Sequence, residues 1–164
     1  MTENKLHQLS IEVGAALKAR DFWVTCAESC TGGWVAKALT DVAGSSAWFD
    51  RGFVTYSNAA KREMLDVSDA TLKEFGAVSE QVVREMARGA RYAAGANLAV
   101  SISGIAGPDG GSEAKPVGTV WFGFADNDGR IYAHKEVFSG NREAVRLQAA
   151  VFALQTLLDE FLKK

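Results

Sequence analysis

Ser29, Cys30, Lys61 and Tyr56 are the residues whose types and placement could support covalent chemistry. Ser29 lies in Ala27-Glu28-Ser29-Cys30-Thr31-Gly32-Gly33, after the apolar run Phe22 to Ala27 and before a helical pattern, Trp34 to Leu39. That spacing puts a hydroxyl where a strand ends and a helix begins, a usual ligand position in an open α/β sheet. Gly32 and Gly33 allow a backbone or a substrate to approach closely. Free N–H groups of the first helical turn would face whatever lies beside Ser29, a phosphate or an oxyanion. Equally, Ser29 or Thr31 could simply cap the helix.

A serine nucleophile needs a base. His7 falls on the first helix and His134 in a late hairpin, neither at a strand-to-helix junction, which argues against a Ser-His-Asp triad. Lysine is the other option. Lys61 sits one turn into the helix after Tyr56-Ser57-Asn58, a junction that should open on the same sheet edge. By composition alone Lys61 reads as a solvated helix residue. As a base it needs a pKa well below about 10.4, through burial or a neighbour such as Arg62. Tyr56 could relay a proton or orient the lysine. Cys30 is a rival nucleophile, since a thiol at a helix N-terminus is acidified; Cys26 reads as a buried strand residue. No His, Cys and carboxylate cluster has metal-ligand spacing. A second glycine-rich loop, Ser103 to Gly111, also follows an apolar strand, which suggests a crevice shared by two such loops. It matches neither the Walker nor the Rossmann pattern, and it reads otherwise as a mobile surface loop. Arg142 and Arg146, in the first turns of the last helix, could pair with an anion or with surface carboxylates.

The positioning elements follow from periodicity. Leu6, Leu9, Val13, Ala16 and Leu17 mark a helix over 3–19. After the Ser29 strand come a helix from Thr31 to about Thr40, a small-residue loop at 43–46, and a strand from Phe49 to Tyr56 with Phe53, Val54 and Tyr56 apolar. Ser57, Ser68 and Ser79 cap three helices, the first over 58–65, the second stopping at Gly76, the third burying Val82, Val83, Met86, Ala87 and Ala90. Leu98 to Ile102 is a strand. Val117 to Phe124 reads as a central strand, and Asn127-Asp128-Gly129 turns it into Ile131 to Phe138. A last helix, from about Arg142 to Leu162, buries Val145, Ala149, Phe152, Ala153, Leu157 and Phe161. Strands alternating with helices, then a hairpin, predict an α/β fold with a mixed sheet and helices on both faces.

The chain has 164 residues, 48% of them hydrophobic, enough for one domain with a real core. A net charge of −2 without a basic patch argues against nucleic acid. No apolar run is long enough to span a bilayer, and none behind the N-terminus resembles a signal peptide. With only two cysteines, close together, the chain is expected to be reduced and cytoplasmic.

Six blocks occur in order: Ala27 to Gly33; Gly44-Ser45-Ser46-Ala47-Trp48-Phe49; Gly52 to Asn58 with Lys61; Gly76-Ala77-Val78-Ser79; Ser101 to Gly111; and Lys115 to Trp121. In these the sequence resembles the CinA carboxy-terminal domain family, the nicotinamide-nucleotide amidohydrolases, over nearly its whole length. The resemblance implies a three-layer α/β/α sandwich, a single domain over 1–164, standing alone where some members carry a further N-terminal domain. It implies deamidation of nicotinamide mononucleotide to nicotinate mononucleotide and ammonia, in the pyridine nucleotide cycle that recycles NAD. The nucleophile would be Ser29, supported by Lys61 and Tyr56. Backbone N–H groups from Thr31 to Gly33 would stabilise the oxyanion. Ser45, Ser46, the glycine loop with Ser103, Gly104 and Gly107, and Arg142 are candidates for holding the nucleotide. No metal or organic cofactor is needed. A homo-oligomer, a dimer favoured, is expected, with no nucleic-acid or membrane partner. The alternatives are a non-catalytic nucleotide-binding or sensor module, which a substituted Ser29 or Lys61 would have favoured, and an amidase of another small substrate.

Overall fold

The computed structural model describes residues 2–163 of the 164. The apolar run before Ser29 becomes β1, Val24–Glu28, buried at all five positions. β-Branched Val24 and Thr25 suit extended backbone, and burial on both faces marks a strand inside a parallel sheet. β2, Phe53–Val54, and β3, Leu98–Gly104, flank β1 and run parallel to it. β4, Thr119–Asp126, and β5, Ile131–Val137, add an antiparallel hairpin, so the order is β2-β1-β3-β4-β5. At the hairpin turn the Asp126 carboxylate accepts the N–H groups of Asp128 and Arg130.

Side-chain alternation splits the sheet into two apolar faces. Cys26, Val100, Ile102, Phe122 and Phe124 pack against α1 (Glu3–Arg20), α2 (Trp34–Thr40) and α6 (Arg142–Thr156). Ala27 and Ala99 face α5 (Glu80–Ala94), which packs with α3 (Asn58–Leu65) and α4 (Asp69–Phe75). The result is the expected three-layer α/β/α sandwich with a mixed sheet. α5 lies close on the sheet: the Ser101 hydroxyl donates to the Val83 carbonyl at 2.6 Å. Ser57, Ser68 and Ser79 cap α3, α4 and α5 as expected, each hydroxyl accepting an N–H three residues on.

Several boundaries differ from expectation, among them β4, which runs two residues later than the predicted 117–124. Of the predicted strand 49–56, only Phe53 and Val54 are paired as a strand, with a single bridge between Phe49 and Val24. The segment carries one residue more than the stretch of β1 beside it, a bulge that interrupts the ladder. As an edge it leaves Val54 48% and Tyr56 61% exposed. The helix expected from Thr31 starts only at Trp34, after a turn in which Gly32 and Gly33 both have positive φ. β3 continues through Gly104 and is the middle strand, while β4 lies between β3 and β5. The last helix is α-helical to Thr156 and π-helical over Leu157–Leu162, and Phe152 is half-buried among Phe122, His134 and Phe138. Among the described residues, no helix is long and apolar enough to cross a membrane.

Candidate active site

Ser29 continues β1 by one residue, its N–H donating to the Ile102 carbonyl of β3 at 2.9 Å. Thr55 continues β2 by one residue, its N–H donating to the Glu28 carbonyl at 2.8 Å. The chain then turns through Tyr56 and Ser57 into α3. One helical turn later Lys61 points back at the strand ends and is 1% exposed. Its Nζ lies 3.0 Å from Ser29 Oγ, 3.0 Å from the Thr55 carbonyl and 3.4 Å from the Tyr56 carbonyl. Burial, with no carboxylate partner among the described residues, disfavours the ammonium form and brings the pKa from 10.5 down to about 8. A neutral amine can give N–H bonds to both carbonyls and keep its lone pair for the serine hydroxyl. Arg62, weighed as the neighbour that would acidify Lys61, points away and pairs with Asp69 at 3.3 Å.

Ser29, 8% exposed, opens into a crevice of about 300 Å³ at the carboxyl ends of β1 and β3. Ser103, Gly104 and Gly107 line it, as expected of the glycine loop. Gly107 has φ 85° and packs so closely on Val117 that a Cβ there would lie 2.5 Å from Val117 Cγ1. Arg142, at the start of α6, reaches the crevice mouth and donates to the Gly107 carbonyl at 2.8 Å and to the Tyr56 hydroxyl at 3.1 Å. Tyr56 therefore meets Ser29 and Lys61 through its backbone carbonyl, while its phenol stands at the mouth with Arg142.

Five expected nucleotide contacts lie elsewhere. Thr31 is fully buried, its hydroxyl donating to Glu28 at 2.7 Å. The Gly32 N–H is taken by the Ser29 carbonyl at 3.1 Å, and Gly33 serves as the α2 N-cap. Thr31, Gly32 and Gly33 line a separate shallow hollow with Arg146, outside the crevice. Arg146 itself clamps the turn, donating to the carbonyls of Cys30 at 3.0 Å and Thr31 at 3.2 Å. Ser45 and Ser46 sit in a 3₁₀ turn over Ser45–Ala47 that leads to Trp48, whose carbonyl accepts the Val24 N–H at the opposite end of β1. Within one chain they are therefore remote from Ser29.

Cys30 borders the crevice, but its sulfur packs into the core and burial pushes the thiol up to about 12. A thiol so rarely ionised at neutral pH is a poor rival to Ser29. His7 and His134 stay on α1 and β5 and do not line the crevice. Among the described residues, no group of three His, Cys, Asp or Glu is arranged to hold a metal. Sequence reasoning missed Asn58 and Asp109, which also line the crevice. It also missed Glu28, a fully buried carboxylate beside Ser29. An acidic residue closing an apolar run, just before a helix with a glycine cap, was the available signal.

Residues 6–161 match the family model described as the CinA C-terminal domain. A nicotinamide-nucleotide amidohydrolase, PncC, from Enterobacter agglomerans is 73% identical over 163 residues, 99% of each chain. One of the same name from Escherichia coli (strain K12) is 66% identical over 163 residues, again 99% of each chain. The crystal structure of the competence/damage inducible protein CihA from Agrobacterium tumefaciens matches with a TM-score of 0.92 at 45% identity, covering 94% of both chains.

Proposed function

Because this chain belongs to the CinA C-terminal domain family, we propose that it is a nicotinamide-nucleotide amidohydrolase whose nucleophile is Ser29 and whose base is Lys61. The observation that carries the mechanism is the buried Lys61 amine 3.0 Å from Ser29 Oγ, a nucleophile and base within hydrogen-bond reach. Ser29 attacks the carboxamide carbon of nicotinamide mononucleotide as its proton passes to Lys61. The tetrahedral oxyanion is met by the backbone N–H of Cys30, which borders the crevice beside Ser29. Lys61 returns the proton to the leaving nitrogen, and ammonia departs. Water, deprotonated by the same amine, then hydrolyses the acyl-enzyme to nicotinate mononucleotide. The Thr55 and Tyr56 carbonyls hold the amine in register throughout. Arg142 uses part of its donor fork on Gly107 and Tyr56 and has donors left for the nucleotide phosphate. Cytoplasmic location and a homo-oligomer, a dimer first, belong to the same reading.

Purified protein incubated with nicotinamide mononucleotide, without added metal, should release ammonia, and free nicotinamide should be a much poorer substrate. Binding energy from the remote phosphate can be used at the reacting carbon. Equal efficiency on both amides would count against this account. Binding without turnover would favour a nucleotide-binding module.

A further inference from the structure

Glu28, the residue before the nucleophile, is a carboxylate with no exposure to solvent, and among the described residues no cation pairs with it. Its Oε1 accepts the Thr31 hydroxyl at 2.7 Å and the Val35 N–H at 2.9 Å. Its Oε2 accepts the Ala36 N–H at 3.0 Å and lies 3.5 Å from Cys26 Sγ. Val35 and Ala36 are the second and third residues of α2, whose N-cap, Gly33, has no side chain to satisfy them. The carboxylate therefore caps α2 from the far side of the turn and closes residues 29–33 into a stapled loop. A negative charge at the positive end of a helix is stabilised there. The same arrangement removes those amides from any role toward substrate. The Glu28 backbone carbonyl, meanwhile, accepts the Thr55 N–H at 2.8 Å, and the Thr55 carbonyl holds Lys61 Nζ at 3.0 Å.

We infer that Glu28 is a positioning residue for the reaction: its side chain fixes the Ser29 turn, its main chain fixes the shelf that carries Lys61, and together they set the distance between hydroxyl and amine. This rests on the serine–lysine reading above. Proton transfer between two such groups is sensitive to small displacements. A glutamine at this position would turn its NH₂ toward an α2 N–H, donor against donor, so the staple needs a carboxylate and not merely a side chain of that shape. A packing role would be indifferent to that change.

The test compares the wild type with Glu28→Gln and Thr31→Val, the latter removing one bond to the carboxylate while keeping the buried volume. Ammonia release from nicotinamide mononucleotide gives kcat and KM, calorimetry gives the affinity for nicotinate mononucleotide, and circular dichroism reports folding. We expect kcat to fall at least tenfold in Glu28→Gln and about threefold in Thr31→Val. KM and product affinity should stay within about twofold. Unchanged kcat in the folded variants would overturn the proposal, as would loss of product affinity in step with kcat, which means that the crevice as a whole has given way. If Glu28→Gln does not fold, Thr31→Val decides by the same criteria. A wild type that releases no ammonia overturns the serine–lysine reading and this inference with it; an active wild type with equally active variants overturns only this inference.

Discussion

Lys61 and Arg62 are chain neighbours with opposite surroundings. Successive helical residues point about 100° apart, so one turns into the strand ends and the other pairs with Asp69 at the surface. In the proposed mechanism, burial is what makes the lysine a usable base. Its pKa near 8 means that kcat/KM should rise with pH and level off as Lys61 loses its proton, with an inflection near pH 8 in a pH–rate profile. Lys61→Arg should be nearly as damaging as Lys61→Ala, each lowering kcat by about 100-fold or more, because a guanidinium stays protonated and cannot accept the proton. An arginine variant with substantial kcat and a raised KM would mean that the charge, not the base, is what matters. At the proposed nucleophile, Ser29→Ala should abolish ammonia release, while Cys30→Ala should retain most of it, since burial holds that thiol up at about 12. Mass spectrometry of the trapped acyl-enzyme would locate the bond. The type and spacing of Ser29, Lys61 and Arg142 were legible without coordinates. The part played by Tyr56 was not, because its contribution beside Lys61 is a backbone carbonyl, which any residue at that position would carry.

At the scale of elements, the legible parts are those whose signals are local. Ser57, Ser68 and Ser79 announce helix starts through a hydroxyl that accepts an N–H three residues on. The stretch from Phe49 to Val54 misleads because β propensity says nothing about register: Gly52 lets the chain crowd Cys26 Sγ, where a Cβ would lie 2.9 Å away, and the ladder breaks beside it. Thr31 to Gly33 mislead for a similar reason. Their composition suits an anion cradle, yet the helix dipole they precede is already met by Glu28, through bonds that span seven and eight residues. Gly89, inside α5, is another element whose reason lies elsewhere. Alanine is the better helix former by about 1 kcal/mol. At this position, however, a Cβ would sit 1.9 Å from the Leu65 carbonyl oxygen at the end of α3. Overpacking against backbone typically costs about 1–3 kcal/mol and should outweigh the propensity gain. Gly89→Ala is therefore expected to lower Tm by several degrees in a thermal melt. Because α3 carries Lys61, kcat should fall as well; a variant at least as stable as the wild type would contradict the close crossing.

For the whole molecule, the active site is a place where the fold is less stable than it could be. Below pH 8 the native state holds Lys61 as a buried ammonium that it disfavours relative to the unfolded chain, where the pKa returns to 10.5. Between those values the unfolded state binds the more protons, so stability should rise with pH from about 8 to about 10.5 on this account. The difference between the two pKa values corresponds to about 3 kcal/mol. Replacing Lys61 with methionine removes that penalty, fills nearly the same volume, and forfeits the bonds to Ser29 Oγ and to the Thr55 and Tyr56 carbonyls, each worth about 1 kcal/mol. At pH 7 the two sides nearly cancel. Lys61→Met should thus be inactive and about as stable as the wild type at pH 7, and it should become the less stable of the two as the pH is raised to 10, where the native lysine is neutral. Denaturant melts at pH 7 and pH 10 measure both quantities. A stability difference independent of pH would mean that Lys61 is not held uncharged by burial. Lower stability at both pH values would mean that the three bonds outweigh the desolvation that lowers the pKa of this lysine.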